Sequence, residues 1–213
     1  MNTEQRCASY IESLYTDIPE YLDELAVSAR ENEVPIIRPA MMNYMQTMLS
    51  ITKPATILEI GTAVGFSALF MKEYAPKGCK ITTIENYEPR IVQAKENFAK
   101  FDLENQITLI EGDATKIIKD LSGNYDIIFM DAAKGQYINM YDDIKRLIHG
   151  GGIILSDNVL QEGDIYESRY ALTRRDRTIH SRMREYLYRL THDEDFTTSI
   201  LPIADGVAVS VKK

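Results

Sequence analysis

The stretch TTSILPIADGVAVSVK, residues 197–212, contains two β-rich runs, TTSILPI and GVAVSVK, that meet at Ala204-Asp205-Gly206. An Asp-Gly turn between two such runs is a hairpin signal. The sheet of this chain therefore closes on an antiparallel strand. What precedes the hairpin decides which fold it completes.

From Ala55 the rhythm differs. Short apolar runs (ATILEIG, CKITTIEN, QITLIEGD, YDIIFMD and GGIILSDN) alternate with helical patterns (FSALFMKEYA, EPRIVQAKENFAKF, ATKIIKDLS and QYINMYDDIKRLIHGGG). Near-continuous apolar strands alternating with helices mean a parallel sheet covered on both faces. The last helical pattern ends on Lys145, Arg146 and His149 and then glycines, which is helix C-terminal chemistry. Ahead of the alternation, EQRCASYIESLY, EYLDELAVSARENE and RPAMMNYMQTMLSI read as helices, the third stopping before Lys53-Pro54. Met41, Met45 and Met48 share one face of that third helix, a core stripe. Thr173 to Leu190 forms a further helix, with Thr173 and Asp176 as a capping box and Ile179, Met183, Leu187 and Leu190 as its buried stripe. With no repeat, low-complexity tract or linker, one domain over residues 1–213 is expected, residues 1–53 being a helical extension packed on it.

A chain of 213 residues can bury a full sheet core. Its 45% apolar and 26% charged content is that of a soluble globule. No apolar run approaches the ~20 residues of a membrane span. The polar N-terminus is not a secretory signal. Cys7 and Cys79 have neither metal nor disulfide-framework spacing, and the three histidines show no ligand spacing. A cytoplasmic address is expected. The net charge of −8 argues against a surface uniformly basic for a polyanion. Residues 165–190 are the exception: seven arginines against three acids make this segment +4 and leave the rest at −12.

Open α/β sheets bind ligands beyond the carboxyl ends of their strands. Here those ends carry Glu59 and Gly61, Glu85, Asp113, Asp131, and Asp157-Asn158. Each acid alone has an ordinary meaning as a cap. Acids at five consecutive strand ends do not. EIGTAVGFSA, residues 59–68, has the pattern G-x-x-x-G, with Ala63 where a dinucleotide fingerprint has its middle glycine. Such a loop suits an uncharged nucleoside, and Ser67 at the helix N-terminus can meet a carboxylate. Glu85 can accept both hydroxyls of a ribose. Asp113 can accept from an adenine amine or cap the helix starting at Ala114. Asp131, Asp157 and Asn158 form an oxygen-only set suited to a hard cation such as Mg²⁺. Lys134 follows Asp131 by one short turn. Beside a divalent cation its pKa should fall, which suits a base or an oxyanion stabiliser.

Together LEIGTAVGFSA, IEN, GDA, DAAKGQY and LSDNVL resemble the metal-dependent O-methyltransferases typified by the catechol and caffeoyl-CoA enzymes. The resemblance implies a Rossmann-like class I methyltransferase: a seven-stranded, mostly parallel sheet ending in an antiparallel hairpin, with N-terminal helices. It implies S-adenosylmethionine as methyl donor and Mg²⁺ or another divalent cation. The family's metal ligands fall on Asp131, Asp157 and Asn158, and its catalytic lysine on Lys134. Its cofactor contacts fall on Glu59, Gly61, Ser67, Glu85, Asp113, Ala114 and Asp131, with Ile37 of VPII reaching in from the N-terminal side. Within the family, VPII, DAAKGQY and DNVL followed by an arginine-rich segment look most like the bacterial tRNA 5-hydroxyuridine methyltransferases. Arg174, Arg175, Arg177, Arg182 and Arg184 then become candidates to meet tRNA phosphates, although a solvated helix face is the ordinary meaning of such a run. The absence of tryptophan weighs against a small phenolic substrate, which stays as the alternative. An NAD(P)-dependent oxidoreductase is the alternative of another class, disfavoured by Ala63, the terminal hairpin and the metal set. A homodimer with no membrane contact is expected.

Overall fold

The structure is a computed structural model that describes residues 3–168, 170 and 173–213. Seven strands form one sheet: β1 Thr56–Ile60, β2 Lys80–Glu85, β3 Ile107–Glu111, β4 Tyr125–Met130, β5 Ile148–Ser156, β6 Phe196–Leu201 and β7 Val207–Lys212. Their order is β3-β2-β1-β4-β5-β7-β6. The first five are parallel, and β7 runs antiparallel to both β5 and β6.

Eight helices accompany the sheet among the described residues: α1 Thr3–Glu12, α2 Glu20–Glu31, α3 Pro39–Thr52, α4 Phe66–Tyr74, α5 Glu88–Phe101, α6 Ala114–Asp120, α7 Tyr137–Leu147 and α8 Arg174–His192. Proline sits in the first turn of α3 and of α5, where its missing N–H costs nothing. α3 stops at Lys53, which takes a left-handed conformation ahead of Pro54.

The strands read as unbroken apolar runs because alternate residues enter two different cores. Ile57, Ile127, Phe129 and Leu155 face α2, α3 and α4, where Leu22, Met41, Met45 and Phe70 are fully buried. Leu58, Ile128, Met130 and Ile154 face the other way, onto Ile118 of α6, Tyr137 and Tyr141 of α7, and Met183 and Leu190 of α8.

Three local expectations need correction. β5 begins at Ile148, inside the run read as a helix end. Gly151 takes a positive φ of 85° and the β4–β5 register shifts between Tyr125 and Ile127, so a bulge absorbs the glycines. The hairpin connection spans residues 202–206 and is not a tight Asp-Gly turn. The α8 stripe keeps Met183, Leu187 and Leu190, but Tyr186 and His180 are buried with them while Ile179 is only half-buried. Thr173 does cap α8, accepting from the Asp176 N–H.

Strand order reverses between β1 and β4, and there the two strand ends nearly touch. The backbone ladder continues one residue past each strand: Gly61 N donates to Ile84 O at 3.0 Å, Asp131 N to Ile60 O at 2.9 Å and Asp157 N to Met130 O at 3.0 Å. A Cβ on Gly61 would stand 2.1 Å from the Asp131 carbonyl oxygen, and its φ is +103°. Gly61→Ala should therefore lower stability by roughly 3 kcal/mol, combining strain and overpacking. Gly78→Ala shares the left-handed backbone (φ +89°) but meets nothing within 4 Å. Denaturant midpoints should separate the two variants clearly; equal losses would show that the Gly61–Asp131 approach does not matter.

Candidate active site

The strand ends open into a cleft of about 620 Å³, within the ~300–1,000 Å³ usual for small-molecule sites. It is lined by Ile37, Gly61, Ser67, Glu85, Asp113 and Ala114 at one end and by Asp131, Lys134, Asp157 and Asn158 at the other. The structure thus gathers nearly all the candidate cofactor-binding, metal-binding and catalytic residues. Glu59 is the exception; it is fully buried and does not line the cleft.

At the first end the carboxylates are built into the backbone. Glu85 Oε2 accepts from Ala63 N at 2.9 Å, and Oε1 accepts from Asn86 N and Tyr87 N at 2.9 and 3.0 Å. Glu85 so ties the glycine loop to the end of β2, and of the roughly four lone-pair sites of its carboxylate the fourth, on Oε2, remains for a hydroxyl. Asp113 is the N-cap of α6, accepting from the Thr115 hydroxyl at 2.7 Å and its N–H at 3.0 Å. Those bonds hold its carboxyl below the ordinary value. The capping role and the cleft-lining position coexist. Ser67 lies in the first turn of α4, where free N–H groups favour an anion.

At the second end, Lys134 opens a short 3-10 turn, Lys134–Gln136, that leads into α7. Its Nζ donates to Asp131 Oδ1 at 2.9 Å and to Tyr137 Oη at 3.2 Å, and Tyr137 Oη donates in turn to Met130 O at 2.8 Å. Burial opposes the charge on Lys134, but Tyr137 and Asp131 outweigh it and hold the pKa above the ordinary value. The chain's own residues thus raise the pKa that a bound cation would lower. Burial, with Asp131 beside it, pushes the Asp157 carboxyl up to about 6. Asp157 Oδ1 accepts from the Asn158 N–H at 2.7 Å.

Asn158 takes a positive φ of 56°, a conformation asparagine tolerates. In one orientation of its amide, Nδ2 lies 3.3 Å from Asp131 Oδ1. In the other, both amide atoms are satisfied: the oxygen accepts from Lys134 Nζ at 3.0 Å and the nitrogen donates to Asp205 Oδ2 at 3.1 Å. Among the described residues no group of three or more His, Cys, Asp or Glu could hold a metal. The oxygens of Asp131 and Asn158 nevertheless converge on the Lys134 ammonium, with Asp157 adjacent. This all-oxygen, cation-seeking set fits a hard divalent ion.

Tyr137, Asp205 and Arg38 belong to the site, and sequence reading missed them. Tyr137 was the last letter of DAAKGQY, three residues after the lysine. Asp205 counted only as turn chemistry. Arg38 Nη2 lies 2.8 Å from Asp205 Oδ2, pairing the segment before α3 with the hairpin. Of the arginines, the side chains of Arg174 and Arg175, and all of Arg169, lie outside the described residues. Arg177 Nη2 donates to Tyr170 O at 3.4 Å, Arg182 Nη1 donates to Gly135 O at 3.2 Å, and Arg184 is exposed. α8 therefore lies against the turn that carries Lys134.

A family model described as O-methyltransferase matches residues 12–213. The chain belongs to the O-methyltransferase family. That membership removes the oxidoreductase alternative. O-methyltransferase ankF of Aspergillus thermomutatus is 32% identical over 170 residues, covering 72% of this chain and 69% of the relative. The catechol O-methyltransferase of Niastella koreensis is 27% identical over 168 residues, covering 74% and 76%. Among solved structures, the SAH-bound methyltransferase PaMTH1 of Podospora anserina superposes with a TM-score of 0.87 at 28% identity, covering 100% of this chain and 97% of that one. No described helix is long and apolar enough to cross a membrane.

Glu59, near the end of β1 before the glycine loop, is fully buried. Thr83 Oγ1 donates to Glu59 Oε2 at 2.5 Å, and Oε1 has no partner among the described residues. Burial raises the Glu59 carboxyl from 4.5 to about 8, against the opposing pull of Ser67 and Thr83. The folded state then binds a proton that the unfolded state gives up. This contribution is complete below the unfolded pKa and is lost as pH rises through the folded one. Glu59→Gln, neutral throughout, should flatten the fall in stability between about pH 5 and pH 9 and leave the variant several kcal/mol better off at the alkaline end. Urea midpoints for the two proteins running parallel across that range would contradict a protonated Glu59.

Proposed function

We propose that this chain transfers a methyl group from S-adenosylmethionine to a hydroxyl oxygen that has a second oxygen beside it. The convergence of Asp131, Asn158 and Lys134, with Asp157 adjacent, carries this reading. An acid-lined nucleoside end and a cation-seeking end share one cleft. The SAH in the Podospora structure supports the choice of donor. Glu85 would accept from a ribose hydroxyl, Asp113 would accept from the adenine amine, and Ser67 with the α4 N-terminus would meet the carboxylate. Ile37, buried in the cleft lining, would contact the cofactor from the N-terminal side.

Asp131, Asp157 and Asn158 would hold a divalent cation, which when bound supplies Lewis-acid activation of a hydroxyl at neutral pH. The hydroxyl proton would leave to solvent, and Lys134, kept charged by Asp131 and Tyr137, would stabilise the oxyanion left behind. Positioning at the two ends of the cleft supplies much of the rate. Asp157→Ala should cut methyl transfer by more than ~100-fold while cofactor affinity, measured by calorimetry, stays close to wild type. Chelation should do the same, reversibly. Full turnover in both cases would remove the metal from the mechanism.

For the acceptor we infer 5-hydroxyuridine in tRNA, whose 5-hydroxyl and 4-carbonyl oxygens are vicinal as in a catechol. The arginine-rich α8 supports it. Arg182 ties that helix to the Lys134 turn, and guanidinium groups on it would meet phosphates flanking an extruded base. A small catechol is the second reading, favoured by the Niastella relative. Residues 174 and 175 are the first two of α8, where glutamate is well tolerated by the helix dipole. Arg174→Glu with Arg175→Glu should lower turnover of tRNA bearing 5-hydroxyuridine by ~10-fold or more at physiological salt, leaving turnover of a small catechol, where there is any, unchanged. Retained tRNA turnover in that double variant would favour the phenolic substrate.

A further inference from the structure

Asn158 can serve a cation only through its oxygen. Its amide is nearly symmetric in shape, so something must prevent the NH₂ from facing the site. Two neighbours with fixed hydrogen-bonding character bracket it. Lys134 Nζ can only donate, and it lies 3.0 Å from the amide oxygen; ionised Asp205 can only accept, and its Oδ2 lies 3.1 Å from the amide nitrogen. Turning the amide over would set oxygen against carboxylate and NH₂ against ammonium. With a cation held by the Asn158 oxygen, the contact that would orient the amide from its far side is Asp205.

Asp205 is itself held firmly. The same Oδ2 receives Arg38 Nη2 at 2.8 Å. Its main-chain carbonyl accepts from Leu160 N at 2.9 Å, and the neighbouring Gly206 carbonyl accepts from Val159 N at 3.0 Å. A Cβ on Gly206 would meet Leu160 Cγ at 2.3 Å, so only glycine permits this approach. The β6–β7 hairpin is thus stitched to the segment that carries Asn158.

We propose that Asp205 is a positioning residue. It fixes the Asn158 amide with its oxygen toward the cation site, and Arg38 holds Asp205 in place for that task. The inference rests on the metal reading above. Carboxylates that orient first ligands in this way are worth ~10–100-fold in metal affinity.

Mn²⁺ binding to the full-length protein, followed by calorimetry and by electron paramagnetic resonance of the free ion, tests it without recourse to activity. Asp205→Leu should weaken binding ~10–100-fold. Asp205→Asn can place an amide oxygen where Oδ2 stood and should stay within ~5-fold of wild type. In an Asn158→Asp background both side-chain atoms are oxygens and orientation loses its meaning. There Asp205→Leu should no longer weaken binding. An electrostatic pull by the Asp205 charge predicts the opposite pattern: Asn as damaging as Leu, and an undiminished loss in the Asn158→Asp background. Either of those results, or no loss with Asp205→Leu, overturns the proposal. Asp205→Ala provides a second truncation if the leucine variant does not fold. Wild-type protein that binds no Mn²⁺ would instead sink the metal reading itself.

Discussion

Every group in the cleft depends on one close approach, the backbone of Gly61 against the carbonyl of Asp131. With no side chain at 61, β1 and β4 run together one residue beyond their last strand positions. Their chain continuations then leave in different directions, one through the glycine loop into α4 and the other through the Lys134 turn into α7. A crevice at such a switch point follows from connectivity and needs no special sequence. What the sequence adds is the absence of a Cβ where the two halves meet. The glycine that suggested room for a nucleoside serves first to let two strand ends join.

That junction concentrates negative charge, and the structure disposes of each carboxylate differently. Glu85 takes three backbone N–H groups, and Asp113 caps a helix. Asp131 has the Lys134 ammonium, and Asp205 has Arg38. Glu59, with no cation beside it and one oxygen unpartnered among the described residues, has its affinity for a proton raised by burial. Asp157 is left between these cases: buried beside another carboxylate, its affinity for a proton is raised. A group in that condition gains most from a positive ion. The imbalance therefore points to the same place that the geometry does.

The strands, the helices of the alternation and the closing hairpin were legible because each rests on local patterning. α5 even begins and ends on the residues its periodicity predicts, Glu88 and Phe101. The acids at the strand ends were legible because topology alone brings them together. Tyr137, Arg38 and Asp205 were not, since each acts through a partner that only the tertiary fold supplies. The Asp-Gly pair gave a correct hairpin and hid a functional carboxylate, because one residue answers to both descriptions. The start of β5 was misread for a related reason. Glycines after basic residues end helices, and they also permit the bulge that the β4–β5 register requires.

α8 lies outside the parallel alternation, yet the placement of Lys134 depends on it. Arg182 reaches the Gly135 carbonyl, and a Cβ on Gly135 would meet Ile179 at 3.7 Å. Farther along, Arg189 stacks on Tyr141 and pairs with Asp142, fixing α8 to α7. Tyr186 completes the seam edge-on to Tyr137, whose hydroxyl receives the Lys134 ammonium. The arginine-rich helix is thus the same body that backs the Lys134 turn. The outer face of α8, with Arg184 exposed on it, is remote from the strand register that sets the sheet. Fold and chemistry reside in the strand ends. Only the outer face of α8 stands clear of that sheet, because Met183 and Leu190 on its inner face pack into the core with the strands.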